Sequence, residues 1–120
     1  MTPEEMASWE VFLASVPLFA GLSKDDLHKI AQRIQILSLP KGATLFRQGD
    51  EPNDLYIITS GLVRVVHQRK GEEIVDAFLG RGETLGEGVV LTGERRTATV
   101  QLVSTCEFLI FPSRTRFKAL

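Results

Sequence analysis

A mainly β domain with helices at its start is what this 120-residue sequence predicts, and three observations predict it. Hydrophobic spacing is helical through residue 35 and changes to short alternating runs from Ile36 onward. Nine of the ten glycines fall between Gly42 and Gly93, cutting that stretch into short strands with regular turns. Such spacing favours a sandwich or barrel over βαβ units. The composition, 43% hydrophobic and 24% charged, is ordinary for one soluble domain with a single core.

Thr2-Pro-Glu-Glu5 sets a cap residue, a proline at the first helical position and an acid at the third. Met6, Trp9, Leu13 and Val16 follow at helical spacing, and the helix stops before Pro17. Trp9 is expected to anchor it onto the strands. Ser23-Lys-Asp-Asp26 caps a second short helix, whose apolar face is Leu27, Ile30, Ala31 and Ile34. His28 flanks that face and reads as a surface histidine.

Leu55–Thr59 and Leu62–Arg69 flank Ser60-Gly61, a tight-turn pair. Lys70-Gly71 joins the second run to Glu73–Leu79 as a hairpin. Val63 and Val65 share a strand face, as do Val75, Ala77 and Leu79, and these faces are expected to point inward. Arg64, Glu73 and Asp76 then face outward or toward the rim. Tyr56 and Phe46 read as core residues, and His67, sharing a face with Val65, as partly buried. Thr97–Val103 and Glu107–Phe111 complete the β region through Val100, Leu102, Phe108 and Ile110. Ser113 caps a last helix with Phe117 and Leu120 three apart, and the sequence ends inside it.

Several functional classes have no support in these residues. A formal net charge of -1 gives no domain-wide footprint for nucleic acid, and no recognition helix follows Leu120. No apolar run is long enough to cross a membrane, and the acidic start lacks a secretory pattern. The single cysteine, Cys106, reads as an inert buried thiol in a reducing, cytoplasmic compartment and excludes an iron–sulfur site. Two histidines about forty residues apart, with no His-x-His pair, argue against a resident metal. No Ser/His/Asp set or Walker-type loop appears, so no catalytic residues are assigned.

The run from Thr84 to Val100 carries the chemistry. Glu87 and Arg96 are separated by one short helix and a turn, which can bring a carboxylate, a guanidinium and a helix start around a small cyclic anion. The guanidinium offers a fixed charge and a planar fork of donors for phosphate. Gly86-Glu87-Gly88-Val89 supplies backbone N–H groups with little side chain in the way. An ionised Glu87 accepts from ribose hydroxyls. Val65, Ala77 and Leu79 offer an apolar slot for a base. Strand alternation assigns Arg95 to solvent and Arg96 to the pocket.

These segments resemble the cyclic-nucleotide-binding domain family of catabolite activators, kinase regulatory subunits and nucleotide-gated channels. Phe19-Ala-Gly-Leu-Ser23 and Lys41-Gly-Ala-Thr-Leu-Phe-Arg-Gln-Gly-Asp50 are similar to its opening segments. Asp54-Leu-Tyr-Ile-Ile-Thr-Ser-Gly-Leu-Val-Arg-Val66 is similar to its central hairpin. Gly82-Glu-Thr-Leu-Gly-Glu87 with Arg96-Thr-Ala-Thr-Val100 is similar to its phosphate-binding cassette. The resemblance implies a double-stranded β-helix, a jelly-roll-like β-roll. One domain then fills residues 1–120, with a helical lead-in at 1–35, the roll at 36–111, its cassette at 84–100 and the start of a C-terminal helix at 112–120.

By the same resemblance, Gly86 is the cassette glycine, Glu87 binds ribose, and Arg96 binds phosphate. Thr97 holds the hydroxyl position that touches phosphate and favours guanine in channel members. Gly88 and Val89 depart from the family, which carries a bulky apolar residue followed by alanine there. The extra glycine loosens the cassette helix by about 1 kcal/mol relative to alanine. The function implied is a non-catalytic regulatory sensor of cAMP or cGMP that needs no cofactor and acts on an effector domain or partner outside the chain. No dimerising helix is present, so a monomer is expected. Two alternatives stay open on the same fold: a sensor of haem, gas or another small molecule, with His28 or His67 as ligand, and a protein-interaction module.

Overall fold

The computed structural model describes residues 2–50, 54–86 and 95–112. The helix expected from Ser113 lies outside those residues.

Helix α1 spans Pro3–Ala14, and the Thr2 hydroxyl accepts the Glu5 N–H at 3.1 Å as its cap. After a 3-10 turn at Pro17–Phe19, helix α2 runs Lys24–Ala31, capped by the Ser23 hydroxyl on the Asp26 N–H at 3.1 Å. Leu13, Val16, Leu27, Ile30 and Ala31 are buried between the helices and the strands. Met6, Trp9 and Ile34 pack against that core half-buried, so Trp9 does anchor α1. His28, exposed as expected, ties the helices together through Glu10 at 2.6 Å.

The strands are β1 (Gln35–Leu39), β2 (Thr44–Phe46), β3 (Asp54–Ser60), β4 (Val63–Arg69), β5 (Glu72–Leu79), β6 (Thr84–Leu85), β7 (Thr99–Leu102) and β8 (Cys106–Pro112). They form two antiparallel sheets, ordered β1-β8-β3-β6 and β2-β7-β4-β5. The first sheet is buried on both faces at its central strands, β3 and β8. Leu55, Ile57, Leu109 and Phe111 turn toward the helices, while Ile58, Cys106 and Phe108 turn toward the second sheet. That is why β8 is apolar without a break from Phe108 to Phe111: Leu109 and Phe111 are as buried as Phe108. Cys106 is a buried thiol, as expected.

Two strand-level expectations are corrected. Ser60-Gly61 does not close a hairpin, because β3 and β4 belong to different sheets. Gly61 turns that corner at φ +96, where a Cβ would stand 2.5 Å from both the Thr105 carbonyl and the Cys106 sulfur. Nor do Val75, Ala77 and Leu79 share a face. Val65 pairs with Ala77 but Val66 pairs with Val75, so Asp76 is an extra bulge residue. A bulge reverses the alternation, and Val75 is 43% exposed. The Lys70-Gly71 hairpin forms as expected, both residues having positive φ (53 and 81), the primed turn that suits twisted strands.

Candidate functional site

Between the two sheets, a cavity of about 270 Å³ opens beside the end of β6. Phe46, Val65, Leu79 and Val100 make its apolar wall, and Thr84, Gly86, Arg96 and Thr97 its polar mouth. Arg96 precedes β7, so strand alternation is not what orients it. Its N–H donates to the Asp50 carbonyl at 2.8 Å and its carbonyl accepts from the Gly49 N–H at 2.8 Å. This two-way backbone bridge turns Arg96 inward, leaving it 4% exposed, while Arg95 is exposed and donates to the Gly49 carbonyl.

The Arg96 guanidinium lies 4.2 Å over the Phe46 ring, with the Tyr56 ring at 6.0 Å. Nη1 donates to the Gly86 carbonyl at 3.3 Å and Nη2 to the Asp54 carbonyl. Nε is buried with no hydrogen-bond partner among the described residues. Burial lowers the Arg96 pKa, opposed by Tyr56, Asp54 and Asp50, yet a guanidinium keeps its charge in proteins. The cavity mouth thus holds a buried cation with no counter-anion within ion-pairing range among the described residues. Gly86 has φ +85, and a Cβ there would lie 1.9 Å from Arg96 Nη1. Glycine at 86 and arginine at 96 are therefore one geometric unit.

Tyr56 lies under that unit, its hydroxyl donating to Asp54 at 3.3 Å. Burial first, then Asp54, push its pKa up to about 12. Tyr56 is the chain's single tyrosine, so ultraviolet titration reads it alone. The expected midpoint is near 12; ionisation at an ordinary tyrosine pKa would contradict the buried contact with Asp54. Because the folded state holds this proton more tightly, its contribution to stability is full below pH 10 and is lost as pH rises toward 12.

Of the residues singled out from sequence, Gly86, Arg96, Thr97, Val65 and Leu79 border one cavity. Ala77 stands opposite Val65 in register but does not border it. Glu87, Gly88 and Val89 lie outside the described residues. Sequence reasoning missed the platform: Phe46 and Tyr56 read as plain core, and nothing local shows that they carry Arg96. His28 and His67 are each held by a carboxylate, Glu10 and Asp76, and neither borders the cavity. Among the described residues no three His, Cys, Asp or Glu side chains converge as a metal site, and no helix is long and apolar enough to cross a membrane.

Residues 36–120 match the family model described as the cyclic nucleotide-binding domain. The chain belongs to that family. Relatives include the cAMP-dependent protein kinase regulatory subunit of Mycosarcoma maydis, 34% identical over 78% of this chain and 18% of that protein. The lysophospholipase nte1 of Neurospora crassa is 38% identical over 72% of this chain and 6% of its own length. In structure, the regulatory domain of Toxoplasma gondii PKA, crystallised with cAMP, superposes with a TM-score of 0.92 at 30% identity. It covers 99% of this cyclic nucleotide-binding domain and 45% of that chain. The chain thus spans less than half the length of each of these proteins. The two-sheet roll with helices at its start is the fold of that kinase domain.

Proposed function

We propose that this domain is a non-catalytic sensor that binds cAMP or cGMP in the Arg96 cavity and passes its occupancy to an effector domain or partner outside these residues. The observation that carries the reading is Arg96: a buried cation at the mouth of an apolar cavity, with an N–H that has no partner among the described residues. A cyclic phosphate pairs with that cation, and the wall of Val65, Leu79 and Val100 suits a base. In the assignment carried from sequence, Glu87 accepts from the ribose, Gly88 and Val89 continue the cassette, and Ala77 extends the apolar wall. A single reduced cysteine suits a cytoplasmic location, where such a sensor meets its ligand.

Calorimetric titration with cAMP and cGMP in parallel tests the reading, and saturable heat is expected from both. Glu87→Ala should weaken both while costing a 2′-deoxy analogue much less. No heat from either nucleotide would end the assignment; equal losses for the deoxy analogue would remove Glu87 from the ribose.

Thr97 bears on which nucleotide is favoured. It borders the cavity, is exposed, and its hydroxyl has no partner among the described residues. That hydroxyl can reach the phosphate of either ligand, but only guanine adds a 2-amino group. Thr97→Ala should therefore cost cGMP about 1 kcal/mol more than cAMP, roughly fivefold in relative affinity. Equal losses would restrict Thr97 to the phosphate.

A further inference from the structure

A second cavity, also of about 270 Å³, lies where α1 meets the ends of β3 and β8, and it shares no lining residue with the first. Trp9 and Phe12 form an aromatic wall, with their rings edge to face at 6.2 Å. Facing them are two opposite charges organised by one buried residue. Thr59, 3% exposed, accepts from Arg81 Nη1 at its carbonyl (2.6 Å) and donates its hydroxyl to Glu107 Oε1 (2.8 Å). The Arg81 guanidinium also lies 4.8 Å over the Phe12 ring.

Arg81 and Glu107 do not close into an ion pair, although each is held on Thr59. Both keep hydrogen-bonding capacity. Nε and Nη2 of Arg81 and Oε2 of Glu107 have no partner among the described residues, nor do the hydroxyls of Ser8 and Ser60 at the rim. The two charges cancel, so a charged ligand loses at one end what it gains at the other. A flat neutral ring that offers donors on one edge and acceptors on the next is what bridges them. Guanine has that pattern: N1–H and N2–H match a carboxylate, and O6 and N7 match a guanidinium fork. Adenine has no N1–H and places an amino group where the guanidinium needs an acceptor.

We propose that this cavity is a second ligand site, independent of the Arg96 pocket, that takes a guanine-type base between Glu107 and Arg81 against the Trp9–Phe12 wall. Trp9 is the chain's single tryptophan, so its emission reports this cavity directly. The experiment titrates guanosine, which has no phosphate, against the parent protein and Arg96→Ala, with adenosine in parallel. A saturable change in Trp9 emission is expected, the same in both proteins and about tenfold weaker in affinity for adenosine. Glu107→Gln, which keeps the shape of its side chain, and Arg81→Gln, which removes the guanidinium, should each weaken guanosine about tenfold. The absence of a saturable change would overturn the proposal. So would a response lost in Arg96→Ala, equal affinity for adenosine, or full affinity in both glutamine variants. The adenosine comparison uses the unaltered protein, so it stands even where a variant folds poorly.

Discussion

Arg96→Ala should weaken cyclic-nucleotide binding by about ten- to a hundred-fold, the worth of charge-assisted bonds of roughly 1.5–3 kcal/mol. Among the described residues, Arg96 is the one basic side chain bordering the cavity. Arg96→Lys should recover only part of the loss, because an ammonium keeps the charge but loses the planar fork and the stacking on Phe46. The effect on folding should be smaller than the contacts suggest. Alanine leaves the carbonyls of Asp54 and Gly86 short of a donor, but it also removes a buried charge whose Nε has no partner among the described residues. A fall of about 1–2 kcal/mol in unfolding free energy is expected by denaturant titration. Undiminished affinity in calorimetry would place the phosphate elsewhere.

The helices were legible in the sequence because their signals are local. Thr2 and Ser23 cap as their spacing predicts, and Leu27, Ile30 and Ala31 form the buried face. The mainly β class and the Lys70-Gly71 hairpin were legible for the same reason. What failed depends on contacts distant in sequence. Ser60-Gly61 carries an ordinary turn signal, yet the chain leaves one sheet for the other there, a choice made by β8 pairing with β3. The Asp76 bulge is invisible to alternation, because an extra residue breaks the period on which alternation rests. Five of the nine ligand-site residues border one cavity, but their arrangement rests on the Gly49–Asp50 backbone and on the Phe46 and Tyr56 rings. Those partners lie some forty to fifty residues away, and sequence spacing does not reach that far.

Gly86→Ala should disable the pocket through Arg96 rather than through the fold. At φ +85 an L-residue is strained, by about 1–2 kcal/mol for a left-handed backbone. The larger effect is spatial. The new Cβ would stand 1.9 Å from Nη1 and 2.9 Å from the guanidinium carbon, so both cannot keep their places. The atoms that must give way belong to the end of a flexible side chain, and moving them costs little stability. The guanidinium then leaves the Gly86 carbonyl and its position over Phe46, and the phosphate loses its aligned donors. Affinity should fall nearly as far as in Arg96→Ala, about tenfold or more, while unfolding free energy drops by only about 1–2 kcal/mol. The double variant separates this from general loosening. If Gly86 acts by placing Arg96, adding Gly86→Ala to Arg96→Ala should cost little further affinity, a strongly non-additive cycle. Additive losses would show that Gly86 serves the ligand independently, through its own backbone.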